Sequence, residues 1–146
     1  MGDLKLKSDF ENDARIDSKY TCDGQDVSPP LDISGVPEEA ESLVLVVDDP
    51  DAPVGTWDHW ILFNIPVSTS RIEEGGSAGV SGKNSWGKLG YGGPCPPSGV
   101  HRYVFKLYAL NTKLDLEEGA SKDQIEDAME NHILAKTELV GVYSRS

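Results

Sequence analysis

Over most of this chain the apolar residues fall in short β-branched and aromatic runs rather than at helical spacing. Leu43 to Val47, LVLVV, is a continuous apolar run and predicts a buried strand that ends abruptly at DDPDAP. Trp57 to Ile65, WDHWILFNI, predicts a second strand, closed by Pro66. His101 to Leu110, HRYVFKLYAL, alternates well and predicts a third. Shorter candidates lie at Leu4 to Phe10, near Leu31 to Ile33, and at Leu139 to Tyr143. One helix stands out. Ser121 and Gln124 match a capping box, and Ile125, Ala128, Met129 and Ile133 follow at helical spacing. Loops rich in Pro and Gly join these elements, and the long one from Glu73 to Gly99 has the length of a functional loop. The pattern predicts a mainly β fold, an antiparallel Greek-key-type sandwich with a small helical part near the C-terminus. No repeat or linker interrupts it, so one domain over residues 1–146 is expected.

Composition narrows the function. The net charge is −12, from 25 acidic against 13 basic residues. That balance argues against nucleic acid, whose phosphates need basic patches, and against anionic membranes. No apolar run is long enough to span a bilayer, and the start, MGDLKLKSDFEND, is too charged for a signal peptide. A soluble cytoplasmic protein without membrane insertion is the expectation. Cys22 and Cys95 form no C-x-x-C pair, which excludes a zinc ribbon or a thioredoxin motif. A reducing cytosol predicts free thiols, while a single disulfide between them stays open.

Candidate chemistry gathers where strands begin and end. Residues i and i+2 share a strand face, so His101 and Tyr103 point the same way, with Phe105 and Leu107 below them. His59 is expected to share a face with Trp57 and Ile61. Asp49 and Asp51 follow the LVLVV strand. Antiparallel neighbours would bring Asp49, Asp51, His59, His101 and Tyr103 to one end of the sandwich. Taken singly, Asp51 reads as a turn former, a strand-end histidine as hydrogen-bonded, and Tyr103 as a core aromatic. Their convergence is what points to a pocket. His132, expected on the apolar side of the helix, reads as structural. Gly75 to Gly79, GGSAG, mimics a hydrolase motif but lacks the strand before it and the helix after it. Asp49, His59 and His101 lack local ligand spacing, so neither a metal nor another cofactor is expected.

DDPDAP at Asp48 to Pro53, DHW at Asp58 to Trp60, and GYGGPCPPSGVHRY at Gly90 to Tyr103 resemble the phosphatidylethanolamine-binding protein family. The similarity is greatest to its bacterial and archaeal Raf-kinase-inhibitor-like branch. YTCDGQDVSPPL, LDLEEGAS and HILAKTELVGVYSR extend it from about Phe10 to Arg145. The resemblance implies a β-sandwich with a small anion-binding pocket at its end. It places Asp49, Asp51, His59, Gly93, Pro94, His101 and Tyr103 around that pocket, with a cis Ala52-Pro53 bond. The implied ligands are phosphate, acetate-like anions and phosphoryl head groups. A kinase or serine protease target, and a homodimer, are further implied partners. Mammalian members carry an added C-terminal helical segment, and this chain stops at Ser146, so a more open pocket is expected.

An aspartate in an anion site makes sense if it charges a histidine. A neighbouring carboxylate raises a histidine's pKa, and the imidazolium then donates to a ligand oxygen. Tyr103 and loop N–H groups supply further donors. The Gly and Pro residues of Gly90 to Gly99 would form a stiff rim shaped before binding. The expectation is therefore a binding or regulatory protein rather than an enzyme, since no nucleophile is evident. Inhibition of a protease or kinase through surface loops is the alternative.

Overall fold

A computed structural model describes residues 3–145. The β4 strand, Ser42–Asp49, shows why LVLVV is apolar at every position: all eight of its residues are buried. Leu43, Leu45 and Val47 face one core, while Val44 and Val46 face a second on the other side of the sheet.

Strand β4 lies at the centre of a six-stranded sheet ordered β2-β9-β8-β4-β5-β7. Its members are β2 (Ala14–Arg15), β9 (Ile133–Tyr143), β8 (His101–Leu110), β5 (Trp57–Ile65) and β7 (Val80–Ser81). The run β8-β4-β5-β7 is a Greek-key order, with the fourth strand returning beside the first. Every pairing in the sheet is antiparallel except β2 with β9. A three-stranded sheet, β1 (Lys5–Lys7), β3 (Leu31–Ser34) and β6 (Arg71–Ile72), covers one face. Leu6, Leu31, Ile33 and Ile72 pack there against Trp60, Leu62, Phe105 and Leu107. Helix α1, Lys122–Met129, covers the other face, where Ile125 and Met129 meet Val44, Val46, Ile61 and Phe63.

The helix starts as the sequence requires. Ser121 accepts from the Gln124 N–H, and the Gln124 side chain accepts from the Ser121 N–H. It ends sooner than the apolar spacing implies. Asn131 takes a left-handed φ of 70°, and Ile133 opens β9 instead of extending the helix. His132 therefore lies in the connecting turn, with its Nδ1 2.8 Å from the Asn111 Oδ1. The first predicted strand shrinks to β1, and the last lengthens backwards to Ile133.

The cysteines correct a further expectation. Cys22 and Cys95 are bonded to each other, 73 positions apart, with Cα atoms separated by 5.5 Å. The two segments already lie side by side, because the Cys22 N–H donates to the Pro94 carbonyl at 3.1 Å. Among the described residues no peptide bond is cis, Ala52-Pro53 included. That turn closes by another route. The Gly55 N–H donates to the Ala52 carbonyl at 3.0 Å, with Gly55 at a φ of 105°.

Candidate functional site

One end of the large sheet holds a cavity of about 310 Å³. Its polar floor comes from three adjacent strands: Asp49 at the end of β4, His59 near the start of β5, and His101 and Tyr103 at the start of β8.

His59 gets there by an irregularity. Val47 pairs with Trp60, but Asp48 pairs with Asp58, so His59 is the extra residue of a β-bulge. Bulges re-aim side chains. His59 reaches the cavity beside Tyr103, whereas Ile61 enters the helix-side core. The expected shared face of His59 and Ile61 fails for that reason. Its Nδ1–H donates to the Gly92 carbonyl at 2.7 Å, and the Gly92 N–H returns a bond to the His59 carbonyl at 2.9 Å. Burial pushes the His59 pKa below its usual value, outweighing the Gly92 bond and the charges of Asp49, Asp48 and Asp58. The sequence argument expected the carboxylates to win. Here desolvation does, and the ring stays neutral with Nε2 as an acceptor.

His101 is oriented differently. Its Nδ1–H donates to the Asp49 Oδ2 at 2.7 Å, and both side chains are buried. Asp49 Oδ1 accepts from the Asp51 N–H at 2.8 Å, which fixes the carboxylate. Each imidazole thus spends Nδ1 on the protein and leaves Nε2 without a protein partner among the described residues. Tyr103 stacks near His101 and lies edge-on to His59. Its hydroxyl is buried and unpartnered. Desolvation pushes the Tyr103 pKa well up, so the phenol keeps its proton and remains a donor.

Three expected site residues stand behind this lining rather than in it. Asp51 turns outward, and its carboxylate accepts from the Arg102 guanidinium at 2.9 and 2.8 Å and from the Arg102 N–H at 2.9 Å. Those bonds pull its pKa down to about 2. Gly93 donates its N–H to Asp26 Oδ1 at 2.8 Å, and a Cβ there would collide with Asp26 and the Tyr20 carbonyl. Pro94 receives the bond from Cys22. Cys95, Pro96 and Pro97 supply that wall of the cavity instead. Trp57, Trp86 and the Ala52 to Val54 segment complete the lining. The sequence reading placed Pro96 and Pro97 in the pocket's rim, as found, but did not name Trp57, Trp86 or Cys95 as lining. Trp86 carried no local signal. Among the described residues, no group of three His, Cys, Asp or Glu side chains is placed to hold a metal ion.

The phosphatidylethanolamine-binding protein family model matches residues 6–144. The chain belongs to this family. A UPF0098 protein of Methanothermobacter thermautotrophicus is 53% identical over 150 residues, covering 97% of this chain and 99% of its own. Another, from Pyrococcus abyssi, is 50% identical over 153 residues, covering 97% and 85%. The crystal structure of a phosphatidylethanolamine-binding protein homologue from Chlamydia trachomatis, CT736, matches with a TM-score of 0.96 at 44% identity, covering 99% of both chains. That of Escherichia coli YbcL, a member of the mammalian family, matches at 0.89 and 30% identity, covering 99% and 100%. Each match covers 99% of this chain, so the phosphatidylethanolamine-binding protein fold is shown for it. No described helix is long and apolar enough to cross a membrane.

Proposed function

We propose that this phosphatidylethanolamine-binding protein homologue binds a small oxyanion, a phosphate or phosphoryl group, in the cavity at the end of the large sheet. The observation that carries this reading is the Tyr103 hydroxyl, which is buried, protonated and unpartnered. An unsatisfied buried donor costs about 1–3 kcal/mol, and a ligand oxygen would recover it. His101 stands beside it. Asp49 holds that ring through Nδ1 and leaves Nε2 for the ligand. His59 offers an acceptor, which suits the hydroxyl of a singly protonated phosphate or phosphate ester.

The aspartates act through these groups. Asp49 holds His101, and Asp51 ties the Ala52 to Val54 turn to Arg102. The reading is one of binding rather than turnover. Cys95, a lining residue with a nucleophilic element, has its sulfur committed to the disulfide. Calorimetric titration with inorganic phosphate tests the proposal. His101→Ala should weaken binding at least tenfold, the worth of a charge-assisted hydrogen bond. Equal affinities would end the reading.

A further inference from the structure

We propose that the apolar mouth of this cavity is a subsite for an aromatic substituent, so that the preferred ligand is an aryl oxyanion seated with its ring against Trp86. The inference rests on the anion reading above and adds the class of ligand. It starts from a mismatch. A bare oxyanion needs only the floor, yet the cavity of about 310 Å³ is large enough for a small organic ligand. Beyond the polar residues of the floor the lining is apolar: Ala52, Pro53, Val54, Pro96 and Pro97. Two of the chain's three tryptophans, Trp57 and Trp86, stand at this mouth. Trp86 is 43% exposed and Val54 80% exposed, so large apolar surface faces solvent where a soluble domain usually hides it.

Trp86 is exposed without being loose. Asn84, only 6% exposed, accepts from the Trp86 N–H at 3.0 Å and from the Lys88 N–H at 3.1 Å. Its amide donates to the Gly90 carbonyl at 3.0 Å, closing the loop that carries Trp86. The indole lies edge-on to Trp57, centroids 5.5 Å apart, and edge-on to His59 at 5.1 Å. Its ring lies over Gly92, where a Cβ would collide with it. An exposed aromatic fixed from behind, beside a polar floor, is preorganised to accept a ring attached to the anion.

Titration of inorganic phosphate and phenyl phosphate into wild type, Trp86→Ala and Trp86→Phe tests this. Wild type should bind phenyl phosphate about tenfold more tightly than phosphate. Trp86→Ala should bring the ratio to within about twofold, and Trp86→Phe should restore most of it. Gly92→Ala, which displaces the indole, should lower the ratio as well. If phosphate itself does not bind wild type, the anion reading falls and takes the subsite with it. If phosphate binds but phenyl phosphate binds no better, or the ratio survives in Trp86→Ala, the subsite alone is overturned.

Discussion

His59 and His101 show how one residue type takes two roles. Both spend Nδ1 on the protein, one on a carbonyl and the other on a carboxylate. Burial holds His59 neutral, and this has a stability consequence. Below its usual pKa of 6.5 the unfolded ring gains a proton that the folded ring refuses. Stability therefore falls as pH drops below about 6.5. Asp51 adds a separate acid-sensitive step. Its folded pKa of about 2 lies below the ordinary 3.8, so its contribution is present above 3.8 and is lost as pH falls towards 2. Urea midpoints of wild type and Asp51→Asn should differ at pH 6 and converge near pH 2. A gap that persists at pH 2 would contradict the Arg102 pairing as its cause. The Asp51 turn role was legible in the sequence. Its partner was not, because Arg102 reaches it across 51 positions of chain.

At the scale of the element, the Gly-Pro stretch is a wall rather than a rim of ligand-contacting amides. Gly92 seats His59 and makes room for Trp86, Gly93 packs against the Tyr20 turn, and Cys95 staples the wall to Cys22. Backbone stiffness was readable from the residue types, since glycine and proline have fixed geometric meanings. Which way the stretch faced was not readable, because that depends on contacts 67 to 73 positions away. The same limit applies to His59. Alternation assumes an unbroken pleat, and one bulge reversed it. The disulfide closes a long loop, so its removal should cost up to about 4 kcal/mol. Urea unfolding of a Cys22→Ser, Cys95→Ser double variant measures that loss, and an unchanged midpoint would show that the wall is held by its hydrogen bonds alone.

For the whole molecule, two cores share one sheet. Strand β4 was legible because burial on both faces leaves a continuous β-branched apolar run, and β8 because its residues alternate. The layer order was not, since β1, β3 and β6 are short and their pairings are long-range. Charged groups also tie the layers together. Asp48, 1% exposed at its side chain, lies 3.0 Å from Lys106 and 3.4 Å from Lys122, and Lys122 reaches Asp58 at 3.0 Å. This quartet binds the start of α1 to the strand ends that carry Asp49 and His59. Asp48→Ala should cost about 2 kcal/mol by leaving Lys106 without its carboxylate while Lys122 keeps Asp58, readable as a lower urea midpoint with an unchanged slope. A cost near zero would place the quartet among surface pairs.

The ligand proposal itself turns on Tyr103. Tyr103→Phe removes a buried hydroxyl that no protein group satisfies, so the variant should be at least as stable as wild type without ligand. A ligand that binds only the folded protein raises its midpoint by an amount that grows with the logarithm of its affinity. The decisive measurement is the shift in thermal midpoint on adding inorganic phosphate to wild type and to Tyr103→Phe. Wild type should gain clearly and the variant far less, as affinity falls about tenfold or more with the lost hydrogen bond. Equal gains in both proteins, or a variant markedly less stable before any phosphate is added, would mean that the hydroxyl serves the fold and not a ligand.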